Sequence, residues 1–141
     1  MGTRTGDLDP GVLIFLLRHG YEHANELERL CDRESGLLGL SAWTSDVRQL
    51  LARRKSDAKA DLALRMFCYQ VCKTVAAMAA ALGGVEMLVF TGGIGEHAAE
   101  LRDEITTSLA FLGTFEVCVL PTREDKQIAR NTARLLLSSP R

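Results

Sequence analysis

The sequence predicts an α/β fold, because two short apolar segments alternate with helical patterns in the second half of the chain. The first segment, residues 87–90, leads straight into a glycine-rich turn. The second, residues 115–120, ends at Pro121, a residue that is rarely accepted inside a sheet. Two strands form too narrow a sheet for the helical faces around them, so we expect further strands to come from outside this chain or from a second copy of it.

Four helices are predicted before the first strand. Residues 10–19 are apolar nearly all round, which favours a buried helix. Residues 23–33 carry apolar side chains on one face and charges on the other. Residues 35–40 are predicted to form a loop with buried leucines, and Thr44 or Ser45 can cap the third helix.

The longest predicted helix covers residues 57–82, with Ser56 as its cap and Gly83 as its end. We expect its apolar stripe to face the core. The stripe comprises Leu62, Met66, Phe67, Val71, Val75 and Met78. A helix over residues 96–112 follows the glycine turn, and a last helix over residues 124–137 follows the second strand. The side chains predicted to face inward from the last helix are Ile128, Ala129, Ala133, Leu135 and Leu136.

Composition indicates one compact domain, since 47% of the 141 residues are hydrophobic and the net charge is −1. A near-neutral balance without a long basic run argues against a nucleic-acid partner. No apolar run approaches the roughly 18 residues of a membrane span, and the first residues lack the apolar core of a signal peptide. We therefore expect a cytoplasmic protein without a membrane partner. The four cysteines form no CxxC pair. Cys68 and Cys72 lie one helical turn apart and could hold a metal, but no further ligands accompany them, so they are predicted to be buried free thiols.

The glycine-rich turn is the segment VFTGGIGEH, residues 89–97. Glycines let a ligand approach the backbone closely, and the helix that follows points its unpaired amides and positive dipole end at an anion. The segment matches neither the dinucleotide pattern GxGxxG nor the Walker pattern. Its residues alone therefore leave two interpretations, a phosphate- or nucleotide-binding turn and an ordinary tight connection. His97 lies just inside the following helix and is expected to face whatever the turn binds.

Three further groups of polar residues can take part in binding. Arg4 lies in a glycine-flanked loop, where its guanidinium can bind a phosphate. Asp46 and Arg48 open a helix, and such a pair can bind ribose hydroxyls together with a phosphate or base. Glu124 follows the second strand, at the end of the sheet where α/β proteins bind ligands, so it can hold Mg²⁺ directly or through water. Taken singly, each group is also explained by a loop salt bridge or a helix cap.

Five blocks of sequence, taken together, resemble the acetate kinase (acetokinase) family, within the superfamily of acetate and sugar kinases, heat-shock ATPases and actin. They occur in the family's order and register, and they extend over nearly the whole chain. The resemblance implies a ribonuclease H-like architecture, binding of ATP with Mg²⁺, and phosphoryl transfer between ATP and a short-chain carboxylate. The blocks are GTRTGDLDP (residues 2–10), ESGLLGL (34–40), TSDVR (44–48), VFTGGIGEH (89–97) and LPTRED (120–125).

The resemblance also implies roles for individual residues. Arg4 matches the family's arginine that stabilises the transferring phosphoryl group. Asp46, Val47 and Arg48 match its contact with adenosine. Glu124 matches the carboxylate that binds Mg²⁺. The nucleotide-binding turn corresponds to Gly93, Ile94, Gly95, Glu96 and His97. Such a set suits phosphoryl transfer, which depends mainly on positioning and charge neutralisation.

The chain departs from the family in three ways. His97 stands where the family usually has asparagine, and a stretch that members carry is missing after Gly113. The resemblance is confined to the family's C-terminal part, so residues 1–141 are expected to form a single nucleotide-side domain. The N-terminal domain supplies the acid pocket and the catalytic aspartate and histidine in the family, and we expect residues 1–141 to contain no counterpart of it.

The function expected from this resemblance is the nucleotide-binding side of an ATP-dependent short-chain carboxylate kinase that acts on acetate, or on propionate or butyrate. Because catalytic groups that act as a unit fail together, we expect this chain alone to be nearly inactive. The resemblance also implies a homodimer through this domain, or an N-terminal half encoded separately. Two alternatives remain open, namely a nucleotide-binding or dimerisation module without chemistry and a non-functional remnant.

Overall fold

The computed structural model describes residues 2–21 and 23–138, apart from the side chains of residues 124, 137 and 138. Helices dominate, and a short 3₁₀ helix (Ala110–Leu112) precedes the second strand. In chain order the other elements are α1 (Pro10–Arg18), α2 (Ala24–Arg33), α3 (Gly36–Ser41), α4 (Val47–Arg53), α5 (Ala58–Leu82), β1 (Met87–Phe90), α6 (Gly92–His97), α7 (Ala99–Ser108), β2 (Glu116–Val119) and α8 (Glu124–Ser138).

The two strands pair in parallel, which confirms the α/β class. Met87 lies opposite Glu116 and Phe90 lies opposite Val119. The crossover between the strands contains α6, α7 and the 3₁₀ helix. Within the described residues the sheet has these two strands only, as the sequence predicted. The crossover places the start of α6 and the loop after β2 at the same end of the sheet, because the carboxyl ends of parallel strands meet at one edge.

The core forms where α5 packs against α3, α4 and α7. Its members come from the four helices α3, α4, α5 and α7 and from the residues just after α6 and α7. They are Leu37, Val47, Leu50, Ala60, Ala63, Leu64, Cys68, Ala98, Leu101, Ile105 and Leu109. Small residues of α5, Ala60 and Ala63, are fully buried because they allow the neighbouring helices to approach closely.

The predicted core stripe of α5 is therefore partly wrong. Leu62, Met66 and Met78 are exposed, whereas Phe67, Val71 and Val75 lie at the margin of the core. Periodicity identifies an apolar stripe, but α3, α4 and α7 decide which part of it is covered. Of the two cysteines predicted to be buried, Cys68 is buried and Cys72 is half-buried. Burial raises the pKa of the Cys68 thiol to about 12.

The prediction that the first helix is buried is wrong. No residue of α1 is buried, and Phe15 is 57% exposed. Apolar residues become buried only where another apolar surface meets them, and α1 packs against α2 alone among the larger helix contacts. The predicted inward face of α8 is likewise exposed at Ile128, Leu135 and Leu136.

Aspartates cap the helices for which serine or threonine was predicted. The Asp46 carboxylate accepts a hydrogen bond from the Arg48 amide at the start of α4, in place of Thr44 or Ser45. The Asp57 carboxylate accepts from two amides at the start of α5, in place of Ser56. Each aspartate is the residue directly before the helix, the position from which its oxygen reaches the second or third amide.

Two helices differ in extent from the prediction. Residues 35–40 were predicted to form a loop, but α3 occupies most of that segment and buries Leu37. The predicted helix over residues 96–112 begins earlier, at Gly92, and is interrupted at Ala98, whose φ and ψ are −100° and 74°. None of the described helices is long and apolar enough to cross a membrane.

Candidate functional site

The glycine turn joins β1 directly to α6. Gly92 has a φ of 76°, a left-handed conformation that a side chain would strain. A Cβ atom at Gly95 would lie 3.4 Å from the Phe90 carbonyl carbon, so glycine lets α6 lie close against the strand. A Cβ atom at Gly93 would have no atom within 4 Å, which leaves the backbone open at that point. The turn is thus packed on one side and accessible on the other.

Glu96 fastens the turn to the loop after β2. Its Oε1 atom accepts hydrogen bonds from the Gly92 amide at 3.0 Å, the Thr122 amide at 2.7 Å and the Thr122 hydroxyl at 2.6 Å. The bonds from Thr122, with a smaller contribution from Gly92, hold the pKa of Glu96 below its usual range. The stability that this carboxylate contributes is therefore present above the ordinary pKa of glutamate and is lost as the pH falls through the lowered value.

Arg102 holds the other end of α6. From α7, its Nη1 atom donates to the carbonyl oxygens of Gly95 and Glu96, each at 2.9 Å. A cation at the carbonyl end of a helix satisfies groups that the helix itself leaves unpaired. The short helix is therefore held at both ends by side-chain hydrogen bonds.

Asp46 and Arg48 form a fork of charged hydrogen bonds at the start of α4. Arg48 Nε lies 3.1 Å from Asp46 Oδ1, and Nη2 lies 2.7 Å from Oδ2. The Arg48 side chain, and then its amide, lower the pKa of Asp46. Because both carboxylate oxygens are engaged, the pair presents a fixed and solvent-exposed guanidinium.

A cleft of about 400 Å³ lies between the starts of α4 and α6. Six of the ten residues that the sequence singled out line this cleft, namely Asp46, Val47, Arg48, Gly93, Ile94 and His97. Ser45, Leu51 and Ala98 complete its lining. Gly95 and Glu96 lie outside it, because Gly95 faces β1 and Glu96 bonds to Thr122.

A second opening of about 270 Å³ lies on the other side of the turn. It is lined by Gly92, Gly93, Thr122, Arg123 and Asp125. Gly93 therefore borders both openings. Glu124, which begins α8, follows this loop, and its side chain lies outside the described part of the structure.

Arg4 lies apart from both openings. It lines a small pocket of about 100 Å³ with residues of α3 and α5, among them Met66 and Gln70. Its guanidinium is exposed and lies 3.9 Å from the Asp32 carboxylate. Backbone hydrogen bonds fix its loop, including one from the Thr5 amide to the Cys31 carbonyl at 2.9 Å. The structure therefore does not bring Arg4 together with the cleft residues.

Sequence reasoning missed Thr122 and Arg102. Thr122 lies within the LPTRED block, where the resemblance assigned a role to Glu124 alone. Its partner Glu96 is 26 positions away in the sequence, so no local pattern indicates the bond. Among the residues that the structure describes, no group of three or more histidine, cysteine, aspartate or glutamate side chains is arranged to hold a metal ion.

Comparison with known proteins identifies the family. The sequence model of the acetokinase family matches residues 1–119. This chain belongs to the acetokinase family. The acetate kinase of Rhodopseudomonas palustris (strain TIE-1) is 41% identical over 157 aligned residues, and that of Campylobacter concisus is 37% identical over 159. The acetokinase resemblance predicted from the five sequence blocks is confirmed.

Solved structures of family members have the same fold. The acetate kinase of Porphyromonas gingivalis superposes with a TM-score of 0.87 at 36% identity, over 96% of this chain and 40% of that one. A propionate kinase from Francisella tularensis superposes with a TM-score of 0.81 at 32% identity, over 88% of this chain and 37% of that one. These likenesses confirm the predicted ribonuclease H-like architecture.

The chain spans about two fifths of the length of the relatives that it matches. The alignment with the Rhodopseudomonas acetate kinase covers 96% of this chain and 39% of that protein. Since 96% of 141 residues is about 135, about 22 of the 157 aligned positions have no counterpart in this chain. The remaining three fifths of those relatives lie outside it.

Proposed function

We propose that this chain supplies the nucleotide-binding side of an ATP-dependent short-chain carboxylate kinase. The observation that carries the proposal is the position of Gly93, which borders both the cleft between α4 and α6 and the opening at the loop after β2. A nucleotide that lies across this bare backbone would place its adenosine in the cleft and its phosphates at the second opening.

The cleft suits an adenosine in size and in lining. Its volume of about 400 Å³ lies within the range of small-molecule sites. Val47, Leu51 and Ile94 supply apolar surface for a base, and the fixed guanidinium of Arg48 can stack on the base or bind a phosphate. His97 can donate a hydrogen bond to the nucleotide, as the asparagine usual in the family can.

The second opening suits phosphates with Mg²⁺. Arg123 supplies a cation and Asp125 supplies a carboxylate at this opening. Glu124, which stands between them in the sequence, is the carboxylate that the family resemblance assigns to Mg²⁺. Mg²⁺ commonly keeps several waters and binds through one or two carboxylates together with substrate phosphates, so a complete protein cage is not required. When bound, Mg²⁺ would neutralise the negative charge that phosphoryl transfer concentrates on the phosphate oxygens.

The acceptor acid is proposed to bind outside this chain. About three fifths of the length of the relatives lies outside this chain, and the acid, whether acetate, propionate or butyrate, would be held there. The chain's own residues then bind and orient the nucleotide, and groups from elsewhere complete the transfer of the γ-phosphoryl group to the carboxylate oxygen. Those groups would come from a part equivalent to the rest of the relatives, either in the same polypeptide or encoded by a separate reading frame.

Replacing Arg48 by alanine is expected to weaken the binding of Mg-ADP about tenfold, because a charge-assisted contact of 1 to 2 kcal/mol is lost. Isothermal titration of this chain with Mg-ADP measures the effect. Arg33→Ala, at the exposed end of α2, is the matched control and should bind as the wild type does. Equal affinity in the two variants would remove Arg48 from the site, and no binding by the wild type would leave only the interaction-module hypothesis.

Purified chain supplied with ATP, Mg²⁺ and acetate is expected to form no acyl phosphate above background. Hydroxylamine traps acyl phosphates as hydroxamates, which are measured by their coloured ferric complexes. We expect no acyl phosphate because the catalytic groups act as a unit and part of that unit is proposed to lie outside this chain. An acetate kinase of full length, assayed in parallel, shows that the assay works. Robust hydroxamate formation by this chain would disprove the proposal that essential catalytic groups lie outside it.

A further inference from the structure

We propose that Glu96 and Thr122 are positioning residues that couple the glycine turn to the loop that leads into Glu124 at the start of α8, so that nucleotide and Mg²⁺ are bound together. The proposal rests on the proposed function and deepens it. It assigns Glu96 a role different from the nucleotide contact that the sequence implied, since its carboxylate faces Thr122 and not the cleft.

Counting protons defines the direction of each hydrogen bond. Thr122 has one hydroxyl hydrogen, and the Glu96 carboxylate, which can only accept, lies 2.6 Å away. The Thr122 oxygen is then free to accept from the Gly92 amide at 2.7 Å and from the Thr91 hydroxyl at 3.1 Å. The Thr122 hydroxyl therefore connects the Glu96 carboxylate on α6 by hydrogen bonds to Thr91 and Gly92, which follow β1.

The position of this cluster explains why it would matter for binding. Gly92 directly precedes Gly93, which borders both openings, and Thr122 stands two residues before Glu124. The four hydrogen bonds among Gly92, Glu96 and Thr122 are all 3.0 Å or shorter. They fix the spacing between the backbone proposed to lie under the phosphates and the loop proposed to hold the metal. Loss of the Thr122 hydroxyl removes two of them and keeps the shape of the side chain.

The test compares Thr122→Val, which lacks the hydroxyl, with Thr122→Ser, which keeps it. Titration with ADP in Mg²⁺ and again in EDTA gives the factor by which Mg²⁺ tightens binding. We expect Thr122→Val to reduce this factor about fivefold or more, while its affinity for ADP in EDTA changes less than about twofold. Thr122→Ser is expected to keep the wild-type factor. A merely structural role would lower both affinities alike. Thr107→Val, on the exposed surface of α7, is the matched control.

A second measurement needs no nucleotide. Hydrogen exchange of the Gly92 amide, followed by NMR in the free chain, is expected to speed up about tenfold in Thr122→Val, since one of its two acceptors is lost. Thr122→Ser should exchange as the wild type does.

The outcomes separate the two proposals. A wild-type chain that binds no ADP disproves the proposed function, and the exchange measurement then decides whether the coupling exists. Unchanged Gly92 exchange in Thr122→Val overturns the coupling. Faster exchange with an undiminished Mg²⁺ factor reduces Thr122 to a structural residue and overturns the positioning role.

Discussion

Replacing Leu64 by alanine is expected to lower the free energy of unfolding by about 3 kcal/mol, because a fully buried leucine leaves a cavity that its neighbours fill only in part. Leu64 is 0% exposed and lies within the cluster formed by α3, α4, α5 and α7. Urea denaturation followed by circular dichroism measures the change through the shift in midpoint at constant slope.

Leu62→Ala is the matched control, since it makes the same chemical change two residues away on the same helix. Leu62 is 41% exposed, so the expected loss is below about 1 kcal/mol. The sequence had placed Leu62 in the core stripe. If the two substitutions cost the same, the packing of α5 described above is wrong and the sequence prediction stands.

Replacing Arg54 by methionine is expected to cost about 2 to 3 kcal/mol, because three carboxylates lose a shared cation. The Arg54 side chain is only 16% exposed and bonds to Asp61 at 3.0 Å, to Glu100 at 3.1 Å and to Glu104 at 2.7 Å. Burial disfavours the charged guanidinium and acts to lower the pKa of Arg54. The hydrogen bonds to Glu104 and Asp61 outweigh this effect and raise the pKa above its ordinary value. Methionine keeps the length of the side chain and removes the charge.

Arg65→Met controls for the loss of an arginine from the same region. Arg65 is 60% exposed, and among the ion pairs of the described residues it bonds only to Asp61, at 2.9 Å. Its loss should therefore lower the free energy of unfolding by about 0.5 kcal/mol or less.

The pH dependence of stability is a second test of the ion pairs around Arg54. Arg54, and to a smaller extent Arg65, lower the pKa of Asp61, so the contribution of this carboxylate is present above the ordinary aspartate range and fades as the pH falls through the lowered value. The difference between wild type and Arg54→Met should therefore shrink as the pH falls below the ordinary aspartate range. A difference that is independent of pH would contradict the ionic explanation.

Local sequence signals predicted the elements better than they predicted burial. Gly83 ends α5 as expected, with a left-handed φ of 79°, and both strands lie within one residue of their predicted bounds. These features depend on residues that are adjacent in the sequence. Burial depends on what another element covers, and for that reason the apolar α1 proved exposed.

The candidate site shows the same division. The blocks around Asp46 and Gly93 meet at one cleft, as the family resemblance implied, whereas their roles in binding a nucleotide stay predictions. The hydrogen bonds that hold the turn were not predicted, because Thr122 and Arg102 act on α6 from other elements. Such contacts follow from tertiary structure and have no periodic signature.

The parallel pair of strands has a consequence for how the chain folds. Met87 and Glu116 are partners although 29 positions separate them, so the loop between them must close before any of their hydrogen bonds form. Packing of α7 on α5 shortens that loop, so the two strands are expected to pair after this step. They are also expected to separate first when denaturant is added. Each strand is hydrogen-bonded along one side only within the described residues, and the other side is a template onto which a partly unfolded neighbour can add.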